Sequence, residues 1–216
     1  TYGRRFDELK LTAGWHNNSY DQQPFARRGI NQQLNFLVAL PVSPGSLKYY
    51  KATYQAHGYL PITNSGFILS ALGNIAYGNM FNKQGLPFYE NYFAGGIAQP
   101  GQVRGYESYS LGPLDSNGNN IGGNFLINGS IGLVLPHPLS QDSVRTTIFM
   151  DAGNVYSRGV PATISGTSSG RIRYSAGVSV DWRSPFGPLS FSLAKPVKKV
   201  PGDQVNMFQF TVMSGF

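Results

Sequence analysis

The chain has 216 residues, a formal net charge of +7 and no cysteine, and only 12 % of its residues are Asp, Glu, Lys or Arg. Disulfide scaffolds and cysteine-ligated zinc or iron–sulfur sites are therefore excluded, and the 13 % of aromatic residues is too high for a disordered chain. No stretch approaches the ~20 consecutive apolar residues of a membrane-spanning helix. The basic residues are scattered along the chain, which argues against a nucleic-acid partner.

Alternating apolar and polar side chains run along most of the chain and predict β-strands, because successive side chains of a strand point to opposite faces. The nine predicted strands comprise about residues 6–16, 33–40, 50–57, 66–79, 122–135, 143–156, 171–182, 188–195 and 204–216. The seventh is the clearest, since every second side chain from Ile172 to Trp182 is apolar and those between them are Gly, Ser or charged. The predicted fold class is all-β.

Two all-β architectures compete for this pattern. A soluble sandwich uses strands of about 5–6 residues and carries charge on its outer faces. A transmembrane barrel needs strands of ~9–11 residues, an apolar band towards lipid and aromatic residues near the strand ends. The aromatic residues at or near predicted strand ends are Trp15, Tyr59, Tyr77, Tyr156, Trp182 and Phe216. Because most predicted strands are also long and the charge is low, we predict a transmembrane antiparallel β-barrel.

Short and long connections alternate between the predicted strands, as the periplasmic turns and external loops of an up-and-down barrel do. The short connections are about 61–65, 136–142 and 183–187, and the long ones are 80–121, 157–170 and 196–203. The alternation fails near the start of the chain, where residues 16–28 are long for a turn and residues 41–46 are short for an external loop.

Enzymatic motifs are weak in this sequence, and we expect neither catalytic residues nor a cofactor. Residues 166–170 fit the G-x-S-x-G pattern, but a nucleophile elbow requires a strand before the serine and a helix after it. His16, His57 and His137 lack the spacing of a metal-binding pair, so no metal site is predicted.

The predicted external loop 80–121 is longer than the loops of compact folds usually are, which indicates a functional or a disordered segment. Its many aromatic residues indicate packing against another surface, and the barrel lumen is the surface available. Arg104 would then carry its charge into a confined space, where the guanidinium needs a carboxylate. The alternation of residues 143–156 turns Phe149 and Asp151 inward, so we predict that Arg104 packs on Phe149 and pairs with Asp151. The alternative is a solvated Arg104.

Several segments, in this order, resemble the C-terminal barrel of the BamA family, whose members fold and insert outer-membrane proteins in Gram-negative bacteria. They are LPFYENYFAGG at residues 86–96, VRGY at 103–106, FMDAGNVY at 149–156, SPFGPL at 184–189, AKP at 194–196 and FQF at 208–210. The resemblance covers essentially the whole chain. It implies a sixteen-stranded barrel of the bacterial surface antigen type, preceded by periplasmic POTRA domains, of which residues 1–216 supply the last nine strands.

The resemblance also implies site residues and partners. The loop would contact the lumen wall through Val103, Arg104, Gly105, Tyr106, Phe149 and Asp151. The last strand, which would form a weak seam that opens laterally towards client strands, would carry Phe208, Phe210, Val212 and Phe216. An open edge offers backbone N–H and C=O groups to an incoming strand. The implied partners are outer-membrane lipids, unfolded outer-membrane protein clients and the accessory lipoproteins of the assembly complex.

One position departs from the family, and other functions share the pattern. Gly132 stands where familiar members carry a glutamate that also contacts the loop arginine, which leaves Asp151 as the main carboxylate or another acid such as Asp181 to compensate. A TamA-like or two-partner-secretion transporter of the same superfamily would share the loop and strand motifs. A passive porin would show similar alternation but has no reason to place an arginine-tipped loop opposite an inward aspartate. An outer-membrane enzyme is the least favoured alternative.

The odd number of strands predicts that the chain is part of a larger barrel, because single-chain bacterial barrels have even numbers of strands. On this interpretation Thr1 marks a cut, with about seven upstream strands and the POTRA domains absent.

Overall fold

Long antiparallel strands make up most of the regular structure in the computed structural model, which describes residues 8–42, 46–136, 143–161, 170–185 and 187–212. The strands are β1 (Glu8–Asn18), β2 (Gly29–Pro41), β3 (Tyr49–Pro61), β4 (Ile68–Met80), β5 (Gly105–Tyr106), β6 (Phe125–Leu135), β7 (Val144–Tyr156), β8 (Arg173–Ser184), β9 (Gly187–Lys198), β10 (Val205–Asn206) and β11 (Phe208–Val212). One turn of 3-10 helix, η1, covers Phe88–Glu90. Within the described residues no helix is long and apolar enough to cross a membrane.

One antiparallel sheet of nine strands contains every long strand, in the order β1-β2-β3-β4-β6-β7-β8-β9-β11. Each strand pairs with the next long strand along the chain, so the sheet is an up-and-down meander that ends at β1 and β11 in the described part of the chain. The short strands β5 and β10 pair with each other in a second sheet. The predicted all-β, antiparallel fold is confirmed.

The end of the chain differs from the prediction. A continuous last strand over residues 204–216 is wrong, because the strand is interrupted at Met207 and its first part, β10, pairs with β5 instead of β9. β2 and β3 are longer than predicted, because their ladder continues to the pair Gly29 and Tyr59, beyond the stretch in which apolar and polar residues alternate strictly. Phe216, His137 and the central residues of the 166–170 motif lie outside the described residues.

The two faces of the long sheet have opposite chemistry. Apolar side chains project outward and are largely exposed, among them Leu11, Phe36, Ile131, Met150, Leu193 and Phe210. Polar side chains project inward and are buried, among them Asn74, Asn128, Asp151, Ser175, Ser179, Ser192 and Gln209. A sheet that meets lipid outside and a polar lumen inside requires this distribution.

The buried apolar residues gather inside the sheet, at the end where β4 stops and β6 starts. The strands of the long sheet, called the barrel wall below, contribute Tyr49, Met80, Leu126 and Val155 to this cluster. The segment between β4 and β6 contributes Leu86, Tyr92, Val103, Tyr106 and Leu111. The apolar core of the molecule therefore lies between the barrel wall and the segment that folds onto its inner face.

Replacing Ile131 with lysine tests which face meets lipid. Ile131 lies near the middle of β6, points outward and exposes 64 % of its surface. Because a lysine at the bilayer midplane of a barrel costs about 2–4 kcal/mol, we expect Ile131→Lys to lower the free energy of unfolding in lipid vesicles by that amount, measured by urea titration. The control Ile131→Leu should cost less than about 1.5 kcal/mol. Equal stability of the two variants would contradict a lipid-facing Ile131.

Candidate functional site

The segment between β4 and β6, residues 81–124, folds onto the inward face of the sheet and is called the long loop below. Isolated bridges give it an internal hairpin, in which Ala94 pairs with Leu111 and Gly96 pairs with Val103. The turn of this hairpin reaches the middle of β4, where Gln99 Oε1 accepts a hydrogen bond from the Asn74 side chain at 2.9 Å. The long loop is therefore packed into the lumen.

Arg104, next to β5 in the long loop, forms a buried ion pair with Asp151 of β7. Its Nε donates to Oδ2 at 2.8 Å and its Nη2 donates to Oδ1 at 2.8 Å, the two-pronged geometry in which arginine binds a carboxylate most strongly. The backbone N–H of Arg104 also donates to Oδ2, at 3.0 Å. Asp151 is 1 % exposed and Arg104 is 8 % exposed, so each charge depends on the other for its neutralisation.

The rest of the Arg104 guanidinium is also in contact with the wall. Its Cζ lies 3.2 Å from the ring centroid of Phe149, a cation–π arrangement. The Ser130 hydroxyl accepts a hydrogen bond from Nη2 at 3.1 Å, and the Ser179 hydroxyl accepts one from Nη1 at 3.4 Å. The structure thus brings Arg104, Phe149 and Asp151 together, with two serines from neighbouring strands.

Asp151 is the carboxylate that binds Arg104, and Gly132 offers the arginine no side chain. A Cβ on Gly132 would meet the methyl group of Thr147, so the neighbouring strand fills this space. Asp181, considered above as a compensating acid, accepts a hydrogen bond from Ser190 at 2.6 Å. Serine hydroxyls, rather than a second acid, complete the Arg104 site in the described part of the chain.

The residues on either side of Arg104 fit the wall closely. Val103 is fully buried and packs against β7 at Gly153, where any Cβ would meet the Val103 methyl group. Gly105 has φ +88°, and a Cβ there would meet the backbone of β9, so glycine satisfies both the conformation and the space. The Tyr106 hydroxyl donates to the carbonyl of Lys198 at 2.6 Å. Burial raises the pKa of Tyr106 to about 12, so this hydroxyl stays a donor.

A second anchor, which the sequence did not reveal, holds the outer part of the long loop. Glu90 of η1 accepts hydrogen bonds from Lys10 at 2.8 Å, from Lys51 at 2.9 Å and from the Tyr49 hydroxyl at 3.0 Å. Burial alone would raise the pKa of Glu90, but these donors lower it to about 2. The sequence shows only one acid inside an aromatic run and two lysines on inward strand faces. These features do not identify which lysines pair with Glu90.

The opposite end of the lumen is occupied by residues 19–28, the connection between β1 and β2. Phe25 is 3 % exposed and Ala26 is fully buried. Arg145 of β7 donates to the Ala26 carbonyl at 2.6 Å, and its Cζ lies 4.9 Å from the Phe25 ring and 4.8 Å from the Tyr59 ring. Tyr59, one of the aromatic residues near a predicted strand end, therefore points into the lumen and not towards lipid.

A cavity of about 440 Å³ lies between the long loop and the 19–28 connection. Its lining includes Tyr20, Phe25, His57, Gln99, Gln102 and Arg104. No cluster of three or more metal-ligating side chains occurs among the described residues. The contacts around this cavity hold one segment of the chain against another.

Three of the four predicted seam residues lie on β11 and point away from the arginine site. Phe208, Phe210 and Val212 expose 59 %, 62 % and 61 % of their surfaces. Phe216 lies outside the described residues. Gln209, which the strand pattern does not single out, points inward from the same strand and contacts the long loop.

The whole chain matches one protein family, because the model of the Omp85 superfamily domain aligns with residues 1–216. The chain belongs to the Omp85 superfamily. The outer membrane protein assembly factor BamA of Neisseria meningitidis serogroup B (strain ATCC BAA-335 / MC58) is 36 % identical to it, over 96 % of this chain and 28 % of the relative. The outer membrane protein assembly factor BamA of Neorickettsia risticii (strain Illinois) is 27 % identical, over 80 % of this chain and 23 % of the relative.

A solved Omp85 structure has the same fold. BamA from Haemophilus ducreyi lacking POTRA domains 1–3 superposes with a TM-score of 0.80 at 35 % identity, and the match covers 94 % of this chain and 41 % of that one. The predicted likeness to the C-terminal barrel of BamA, the transmembrane barrel fold and the outer-membrane location are confirmed. This Omp85 chain spans less than half the length of each of these relatives.

Asp151→Asn should destabilise the barrel, because it leaves the Arg104 guanidinium buried without an opposite charge. Removing one partner of a buried ion pair costs about 3–5 kcal/mol, and we expect this loss in the free energy of unfolding in lipid vesicles. The matched control is Glu107→Gln, which neutralises a carboxylate of the long loop outside the Arg104 site and should cost less than about 0.5 kcal/mol. Equal losses in the two variants would refute the anchoring role of the ion pair.

Glu90→Gln tests the second anchor through its pH dependence. The pKa of Glu90 is about 2 in the folded protein against an ordinary value of 4.5, so its contribution to stability is full above pH 4.5 and is lost as the pH falls towards 2. The melting temperature of the wild type should therefore exceed that of Glu90→Gln at neutral pH and converge with it in acid. Other carboxylates titrate in both proteins, so a difference that does not vary with pH would rule out this anchor.

Proposed function

We propose that this chain forms the C-terminal part of the barrel in a factor that folds and inserts β-barrel proteins into the bacterial outer membrane. One observation carries the proposal. The long loop is fixed in the lumen by the Arg104–Asp151 pair, in a barrel segment whose relatives are named outer membrane protein assembly factors. The Neisseria relative aligns with 96 % of the chain, so the likeness is not confined to a few strands.

The contents of the lumen support an assembly role over a passive pore. A porin keeps a water-filled lumen open to solutes. Here the long loop enters from one end and residues 19–28 enter from the other, and each is held by a buried arginine, Arg104 or Arg145. Solutes would have to pass both inserts, which is a poor arrangement for a diffusion channel.

The proposed mechanism is pairing of client strands with the edge of the sheet. Within the described residues, β11 pairs with β9 from Phe208 to Val212, whereas Val205 and Asn206 just before it pair with β5 and not with β9. Because its first part has no ladder with β9, the last strand is the one we expect to separate most readily from the long sheet. Its backbone N–H and C=O groups are then offered to an incoming strand, and we infer that the seam between this strand and the first strand of the complete barrel opens laterally.

The proposed partners follow from this mechanism. The outward apolar face meets outer-membrane lipids, the sheet edge receives unfolded outer-membrane protein clients, and accessory lipoproteins complete the assembly complex. The rest of the protein would supply the upstream strands of a sixteen-stranded barrel and the POTRA domains. Strand pairing makes hydrogen bonds and breaks no covalent bond, so the proposed role needs no catalytic residue and no cofactor.

The test is the folding of a client barrel into lipid vesicles that contain the full-length protein. Gel mobility of the folded and unfolded client should show folding at least about tenfold faster than in empty vesicles, a barrier lowered by about 1.4 kcal/mol. Full-length Asp151→Asn should lose most of this acceleration, because the long loop is no longer held, and Glu107→Gln should keep it.

Three outcomes would contradict the proposal. No acceleration by the wild-type protein would refute the assembly role. Large, steady ion currents across the same vesicles would favour a porin. Export of a secreted partner protein without any effect on client folding would favour a transporter of the same superfamily.

A further inference from the structure

The last strand divides into two parts that pair with different neighbours. β11 continues the wall and pairs with β9. β10 pairs with β5 of the long loop, and the N–H of Glu107 extends this small ladder by donating to the Gln204 carbonyl at 3.0 Å. Between the two parts, the Met207 carbonyl still accepts a hydrogen bond from the N–H of Ala194 in β9, at 2.8 Å. The long loop therefore takes the place of β9 for the first part of the last strand.

Gln209 ties the second part of the last strand to the same place. Its side chain points inward, and the residue is 6 % exposed. Its Nε2 donates to the Tyr106 carbonyl at 2.7 Å, and its Oε1 accepts from the N–H of Gly105 at 3.4 Å. A primary amide both donates and accepts, so one glutamine serves the backbone of two consecutive loop residues. A carboxylate at this position would repel the carbonyl, and an apolar side chain would make neither hydrogen bond.

The tip of the long loop, residues 104–106, is fixed on its other side. Arg104 is bound to Asp151 through its side chain and its backbone N–H. Gly105 lies so close to β9 that a Cβ would meet the backbone of Ala194. The loop tip thus bridges β7 and the last strand across the inner face of the wall.

We propose that the tip of the long loop is a clamp on the last strand, and that Gln209 is the positioning residue that closes it. Displacing Arg104 from Asp151 moves the backbone of residues 105–106 away from Gln209, separates β5 from β10 and frees the first part of the last strand. The consequence for clients rests on the function proposed above: the clamp fixes the position of the sheet edge that an incoming strand meets.

Hydrogen exchange in the full-length protein in lipid vesicles tests the clamp directly. Gln209→Met keeps a similar volume and removes the amide. The matched control is Ser192→Ala, because Ser192 lies opposite Gln209 on β9, is buried, and has a hydroxyl without a hydrogen-bond partner among the described residues. Exchange in residues 204–209 and 105–107 should rise about five- to tenfold in Gln209→Met, because the hydrogen bonds of the amide are lost, and stay unchanged in Ser192→Ala.

A distant substitution separates a clamp from a merely local packing role of Gln209. Asp151→Asn should also raise exchange in residues 204–209, although Asp151 belongs to β7. Because both substitutions open the same clamp, the double variant should exchange little faster than the faster single variant. Unchanged exchange of residues 204–209 in Asp151→Asn, or effects that multiply in the double variant, would overturn the clamp. If Asp151→Asn fails to fold, unchanged exchange of residues 105–107 in Gln209→Met overturns it.

Client folding distinguishes failure of the clamp from failure of the proposed function. The Gln209→Met protein should fold a client severalfold more slowly than the wild type, while Ser192→Ala should match the wild type. If the wild type does not accelerate client folding, the proposed function fails and the exchange data still decide the clamp. If the wild type accelerates folding and Gln209→Met exchanges normally, the clamp fails and the proposed function stands. Raised exchange with an unchanged client rate would overturn the role of the clamp in client folding.

Discussion

One buried ion pair fixes the long loop, and much of the lumen is arranged around it. Both charges of the Arg104–Asp151 pair are buried, so they must be satisfied mainly by neighbouring groups. The backbone N–H of Arg104, the two serine hydroxyls and the Phe149 ring meet that requirement. Once the arginine is placed, Val103 lies against the wall, and β5 lies where β10 pairs with it. The position of the last strand is thus linked to a carboxylate three long strands away along the chain.

Lipid reverses the usual positions of polar and apolar side chains. The outward face carries exposed Phe, Leu, Ile and Met side chains, because that face needs no polar partner in a bilayer. The inward face carries Asn, Ser, Asp and Gln side chains, and these supply hydrogen-bond partners to an inserted backbone, as Asn128 does for the Gln102 carbonyl at 3.1 Å. The apolar core is therefore formed by the loop against the end of the wall, since that is where water is excluded.

Strand alternation predicted a large part of this architecture from the sequence. It assigned the outward and inward faces of β7 and β8, and with them the inward Phe149 and Asp151, because the side-chain period of a strand is fixed by backbone geometry. It did not reveal the Glu90 anchor, the insertion of residues 19–28 or the contacts of Gln209. Those contacts join segments that are far apart in the chain. Which residues meet depends on how the loop tip and residues 19–28 enter the lumen. The break at Met207 was missed for the same reason, because β10 pairs with a strand of the long loop, and its own apolar–polar alternation does not reveal that pairing.

The two inserts in the lumen constrain the route of a polypeptide through the barrel. A chain threading along the barrel axis would have to pull Arg104 from Asp151 and Arg145 from the Ala26 carbonyl, exposing two buried guanidinium groups in turn. A chain that joins the wall at its edge leaves both arginines in place. Under the function proposed above, the two inserts stay in place while strands are added at the edge, and the client moves sideways into the plane of the membrane.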